Sequence, residues 1–247
     1  MLQYQAPNDL LKDRVILVTG ASDGIGKSVA KAYASHGATV ILHGRNIEKL
    51  EQIYDDIIAN GDPQPAILPL DLQNDAQHQF TSLAETIQTE LGRLDGILHN
   101  AAMISELSPI EFTDANIWHE MMQVNINSVF LLTQACLPLL KQSPSASIIT
   151  TSSGVGRKGR AFWGAYAVSK FAIEGFTQVL ADELEGTSVR INAINPGATR
   201  TKMRAKAYPA EDISLLATPE SLVPLYLYLM GDDSKTLHGQ SLDAQAK

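Results

Sequence analysis

Arg14-Val15-Ile16-Leu17-Val18-Thr19-Gly20-Ala21-Ser22-Asp23-Gly24-Ile25-Gly26 is the stretch that decides the fold. Its four consecutive aliphatic residues, 15–18, show no polar alternation and predict a strand covered on both faces, as in the middle of a parallel sheet. Three glycines follow, and then a helical pattern over 27–36. A strand, a glycine turn and a helix make a cradle for a pyrophosphate. Glycine allows the tight turn and close backbone approach, and the free N–H groups at the helix start attract the anion. The spacing is Gly-x-x-x-Gly-x-Gly, which departs from the Gly-x-Gly-x-x-Gly of the common dinucleotide fingerprint.

Outward from this stretch the alternation continues. Strands are predicted over 39–42, 66–70, 96–98, 147–151 and 189–194, and helices over 47–59, 75–91, 118–140 and 165–184. Short connections between such repeats predict one α/β domain spanning 1–247, a doubly wound parallel sheet in three layers. Ligands of these sheets bind beyond the carboxyl ends of the strands. The segments to watch are therefore 19–26, 43–45, 71, 99–102, 152–153 and 195–197.

Composition narrows the function classes. The 247 residues are 45% hydrophobic and carry a net charge of −8 without a long basic run, which argues against a nucleic-acid surface or a membrane-surface patch. Residues 1–13 show no basic region followed by a long apolar run, and no 18 apolar residues run uninterrupted. A cytoplasmic, soluble protein is expected. Cys136, the one cysteine, sits in an apolar helical stretch and reads as a small buried hydrophobe. The six histidines show no ligand spacing, so no metal is expected.

Tyr166 and Lys170 stand four apart, which puts a phenol and an ammonium on one face of a helix. Together with Thr19-Gly-x-x-x-Gly-Ile-Gly26, Asp71, Asn100-Ala101, Asn125, Ser153, Asn195-Pro196-Gly197 and Thr201, this pair resembles the motif series of the short-chain dehydrogenase/reductase family, in its single-domain, Rossmann-like branch. The runs 10–20, 164–172 and 230–234 are most similar to a bacterial YciK-like subgroup.

The resemblance implies a nicotinamide-dependent oxidoreductase acting on a small carbonyl or alcohol substrate, with Asn125, Ser153, Tyr166 and Lys170 as its catalytic set. Tyr166 would move the proton. A phenol with a pKa of about 10 needs roughly 4 kcal/mol to come down by three units, for which a neighbouring cation such as Lys170 is the expected source. Ser153 would hold the substrate oxygen, and Asn125 would anchor a water in a proton relay. Lys170 would also meet the nicotinamide ribose.

Cofactor contacts are implied for Gly20, Ser22, Asp23, Gly24, Ile25 and Gly26 at the glycine turn, and for Asp71, Leu72, Asn100 and Ala101 near the adenosine. Pro196, Gly197, Thr199 and Thr201 would lie near the nicotinamide. At the end of the second strand, Arg45 stands where a carboxylate would select NAD, so NADP(H) is expected in preference to NAD(H), with Asp23 an unhelpful neighbour. Residues 198–216 are expected to form an irregular, mobile lid. The loop 154–163, with Arg157, Lys158, Arg160, Phe162 and Trp163, suggests either an anionic substrate or a solvated segment with Trp163 tucked inward.

The family implies a homodimer through the long helices, and a tetramer as its larger assembly. Ala102, Ala244 and Gln245 stand where the family has glycine, and the last two weaken the tetramer inference. A nucleotide-binding sensor without turnover is the rival reading, although a sensor has no need of Tyr166 or Ser153. Dehydration or epimerisation on the same scaffold is a third.

Overall fold

All five residues of β1 (Val15–Thr19) are buried, because the strand lies near the middle of the sheet with helices on both faces. The computed structural model describes residues 4–73 and 76–245. After β1 come α1 (Gly24–Ser35), β2 (Thr39–Gly44), α2 (Ile47–Ala59), β3 (Ala66–Pro69), α3 (Gln77–Leu91) and β4 (Gly96–His99). The second half adds α4 (Ala115–Met122), α5 (Ser128–Leu140), β5 (Ala146–Thr151), α6 (Gly164–Glu183), β6 (Val189–Asn195), α7 (Lys202–Ala207), α8 (Pro219–Met230) and β7 (Ser241–Asp243).

The strands run parallel in the order β3-β2-β1-β4-β5-β6-β7. The chain starts near the centre, winds out to β3, and crosses back to begin β4 on the other side of β1. That reversal opens a crevice above β1 and β4, where a doubly wound sheet takes its ligand.

One face of the sheet presents Val18, Val40, Leu42 and Leu98 to α1, α2 and α8, where Val29, Tyr33, Leu50 and Leu222 are buried. The other presents Leu17, Ile41, Ile97 and Ile148 to α3, α5 and α6, where Phe80, Leu132, Cys136 and Leu180 are buried. Burial pushes the Cys136 thiol up to about 12, which leaves it unreactive. A smaller cluster containing Ile104, Met121, Val155 and Tyr166 caps the carboxyl end of the sheet.

Several boundaries differ from expectation for local reasons. Asp23 caps α1, its Oδ1 accepting from the Gly24 N–H at 2.8 Å, so the last two glycines belong to the helix's first turn. The long helix begins at Ala115 under an Asp114 cap, with Oδ1 accepting from the Asn116 N–H at 2.7 Å. It is interrupted by a π turn over Gln123–Asn127, a type of distortion frequent at functional sites. Long and apolar enough to cross a membrane, Ala115–Leu140 instead packs Leu132, Cys136, Leu139 and Leu140 into the core. The predicted start of α3 at Asp75 lies outside the described residues. The helix α8 was not anticipated.

Candidate functional site

Two close approaches explain the glycine turn. Gly20 has φ +67°, and a Cβ there would come within 2.9 Å of the Ala101 backbone. A Cβ on Gly26 would lie 2.2 Å from the Gly20 carbonyl oxygen, so α1 can pack this closely on the turn only with glycine. Thr19 Oγ1 accepts from the N–H groups of Asn100 and Ala101, each at 3.0 Å, and Asn100 Nδ2 donates to the carbonyls of Thr19 and Gly20 at 3.3 and 3.4 Å. The ends of β1 and β4 are thereby stitched together under the crevice. Ala102 keeps a negative φ, so the missing glycine costs this turn nothing.

Above the turn runs a groove of about 410 Å³. One end is lined by Gly20, Ser22, Asp23, Gly24, Ile25, Arg45, Asp71, Leu72, Asn100 and Ala101, and the other by Ser153, Tyr166, Lys170, Pro196, Gly197, Thr199 and Thr201. Gly26 lies behind the wall as a packing residue. The glycine turn at the groove's middle fits a pyrophosphate with a nucleoside on either side.

At the β2 end the groove is rich in cations. Arg45 is two-thirds exposed, 3.9 Å from Asp71 Oδ1. Asp23 Oδ2 meets Lys202 at 2.7 Å and Lys49 at 3.3 Å. The Lys202 hydrogen bond holds the Asp23 carboxyl below its ordinary value. The carboxylate expected to repel a phosphate is therefore masked by two lysines. Lys49 escaped the sequence reading although it follows Arg45 by four residues, one helical turn into α2.

At the β5 end, Tyr166 and Lys170 face inward from α6, 9% and 2% exposed. Lys170 Nζ donates to the Thr151 carbonyl at 2.7 Å and stands 5.6 Å from the centre of the Tyr166 ring. The Tyr166 hydroxyl approaches Met203 Sδ at 4.0 Å. Burial pushes Tyr166 up to about 12, partly offset by the Ser153 hydroxyl, and burial brings Lys170 down to about 8. The expected depression of the phenol is not met by the protein alone. The ammonium sits over the ring and is taken up by Thr151, so desolvation wins.

Ser152 and Ser153 part as strand geometry requires. Ser152 Oγ turns away to Glu174, whereas Ser153 Oγ stays in the groove wall and accepts from the Val155 N–H at 3.4 Å. Asn125 lies outside the groove wall. Its Oδ1 accepts from the Met103 N–H at 2.8 Å, and its Nδ2 donates to the Met103 carbonyl and to Ser169 Oγ, both at 3.0 Å. The asparagine thus ties the π turn to α6 behind Tyr166.

Of the two readings of loop 154–163, the solvated segment with Trp163 tucked inward is the one found. Arg157 pairs with Glu174 at 3.2 Å and Asp243 at 2.6 Å, and Lys158 and Arg160 are exposed away from the groove. The Trp163 ring lies 5.6 Å from Tyr166 and 5.8 Å from Tyr208. Segment 198–216 is less irregular than expected. It contains α7, Arg204 pairs with Glu211 at 2.6 Å and stacks on Tyr208 at 3.9 Å, and Arg200 donates to the carbonyls of Ile213 and Ser214.

Sequence reasoning missed the apolar wall made by Met103, Ile104, Met203 and Ala207. It also read Gln245 only as a departure bearing on assembly, whereas its Nε2 donates to the carbonyls of Pro196 and Ala198 at 2.7 and 2.9 Å. Among the described residues, no group of three or more metal-ligating side chains is gathered.

Residues 14–212 match the family model described as short chain dehydrogenase. The chain is 52% identical, over 99% of its length and 96% of the relative's, to the uncharacterized oxidoreductase YciK of Escherichia coli K12. A short chain dehydrogenase from Shigella flexneri complexed with NADP matches with a TM-score of 0.95 at 52% identity, covering 97% of this chain and all of that one. One from Escherichia coli CFT073 complexed with NADPH matches with a TM-score of 0.95 at 53% identity, covering 98% of this chain and all of that one. With the glycine cradle, the switch-point groove and the Ser153–Tyr166–Lys170 end already in place, these matches make the chain a member of the short-chain dehydrogenase/reductase family, an oxidoreductase acting on CH–OH or C=O groups.

Proposed function

We propose that the protein is an NADP(H)-dependent carbonyl reductase or alcohol dehydrogenase in which Tyr166 is the acid/base. The observation that carries this reading is the groove itself, with a cationic end formed by Arg45 and Lys202, Lys49 pairing with Asp23 beside it, and a proton-donating end formed by Ser153 and Tyr166. The NADP and NADPH bound by the two similar solved structures support the choice of cofactor.

NADPH, when bound, supplies the hydride. Arg45 and Ser22 would meet the 2′-phosphate, the glycine turn the pyrophosphate, and Asp71, Leu72, Asn100 and Ala101 the adenosine. Pro196, Gly197, Thr199 and Thr201 would face the nicotinamide half, and Lys170 its ribose. Ser153 donates a hydrogen bond to the substrate oxygen, and the Tyr166 hydroxyl releases its proton to that oxygen as it becomes an alkoxide. A phenol that burial holds above its ordinary value is protonated at neutral pH, the form that can donate to a carbonyl oxygen. Asn125 is assigned the relay position behind Lys170, supported by the π turn.

The substrate is a small carbonyl or alcohol compound. The exposed apolar residues Phe130 on α5 and Val168, Phe171 and Val179 on α6 support a homodimer through these helices. The test is NADPH oxidation, with NADH beside it, against a panel of ketones, aldehydes, quinones and acyl thioesters, using Y166F as control. Turnover lost in Y166F with NADPH binding retained is expected. Equal turnover in Y166F overturns the reading.

A further inference from the structure

One carboxylate on α6 grips both ends of the loop that carries Ser153. Glu174 follows Lys170 by one helical turn and Tyr166 by two, on the same buried face, and is 8% exposed. Its Oε1 accepts from Ser152 Oγ, immediately before Ser153, and from Arg157 Nε at 3.2 Å, at the end of the 3₁₀ turn that follows Ser153. Ser241 Oγ from β7 is a third donor at 2.8 Å. Between the two grips, Gly156 lies so close to α6 that a Cβ there would come within 2.8 Å of the Lys170 carbonyl. The helix that places Tyr166 and Lys170 therefore also fixes Ser153.

The geometry points to Glu174 as a positioning residue for turnover: it holds the Ser153 hydroxyl in register with Tyr166 while touching neither substrate nor cofactor. This inference rests on the roles of Ser153 and Tyr166 proposed above. The competing account is purely structural, because removing one member of a buried ion pair destabilises a protein whatever else the pair does. The two separate in a double-mutant cycle, since a residue acting through Ser153 has nothing left to contribute once that hydroxyl is gone.

The experiment compares S153A, E174A and the double variant in the full-length protein, with kcat for a ketone identified in the panel, NADPH Kd, and the pH dependence of kcat. E174Q replaces E174A throughout if the alanine variant does not fold. Loss of an aligned donor gives S153A a kcat lower by about 100-fold, and a misplaced donor gives the Glu174 variant a loss of about 10-fold or more. NADPH Kd stays within about twofold, and the double variant is no slower than S153A by more than about twofold. The alkaline limb of kcat moves upward in S153A and in the Glu174 variant alike, because the Ser153 bond that lowers Tyr166 is lost in both. Multiplicative losses, or a wild-type kcat in the folded Glu174 variant, overturn the inference. A wild-type kcat in S153A removes instead the reading on which it stands.

Discussion

The ammonium of Lys202, at the start of the helix that covers the groove, meets the carboxylate of Asp23 at the glycine turn at 2.7 Å. Both side chains are substantially exposed, so the pair adds little to stability. Its effect is electrostatic, since without it Asp23 faces the phosphate end of the cofactor with Lys49 as its remaining cation. K202M is expected to raise the Kd for NADPH about threefold to tenfold and that for NADH by less than twofold, with the difference shrinking as salt screens it. Fluorescence titration at two ionic strengths checks this, and equal changes for both cofactors would refute it.

In the proposed NADP(H) reading, Arg45 carries the larger share of cofactor selection. Replacing it by aspartate installs the carboxylate that accepts a ribose 2′-OH and repels a 2′-phosphate. The kcat/KM ratio of NADPH over NADH is expected to fall by about 100-fold or more, the size expected when a charge-assisted contact becomes a repulsion. Steady-state kinetics with each cofactor measure it.

Lys170 is stored at a cost. Its depressed pKa means that below about pH 8 both folded and unfolded chains hold the proton, and the burial penalty is fully present. Between about 8 and 10.5 the unfolded chain binds more protons, so the penalty is relieved as pH rises. K170M should therefore be more stable than wild type at pH 7, by up to about 3 kcal/mol for a fall from 10.5 to about 8. Its advantage should fade across that window. Thermal unfolding of the cofactor-free protein from pH 7 to 10 reads the trend, and a constant or widening gap sinks the argument.

Gln245 braces the turn at the root of the cover. Its amide binds the carbonyls of Pro196 and Ala198, two of the hydrogen bonds that set the exit from β6 toward α7. Q245G, the residue the family carries, is expected to speed limited proteolysis within 198–216 several-fold and to weaken NADPH binding by about fivefold, as lost side-chain hydrogen bonds of about 1 kcal/mol imply. Cleavage at the wild-type rate would count against the brace.

How much of this was legible beforehand follows the range of the interactions. The β1–glycine–α1 unit and the Tyr166–Lys170 pair are local patterns, and both were readable. Arg157 was misread because its charge is spent on Glu174 and Asp243, the latter 86 residues away, and no local pattern announces an internal partner at that distance. Lys202 joining Asp23, and Met203 reaching the Tyr166 hydroxyl, depend likewise on how α7 folds back. The upward shift of Tyr166 in the cofactor-free protein was not legible, because sequence gives the neighbouring cation but not the degree of desolvation.

The stitch between Thr19 and Asn100 also bears on how the protein is made. The two residues are separated by 81 positions, and Tyr33 of α1 donates to the carbonyl of Tyr226, 193 positions on. During synthesis β1 must wait for β4 to close the cradle, and α1 must wait for α8 before its apolar face is covered. The emergence of these later elements, more than that of β1 or α1, sets when the nucleotide site first exists, and until then Ile16, Leu17 and Val18 are among the stretches a nascent-chain chaperone has reason to hold.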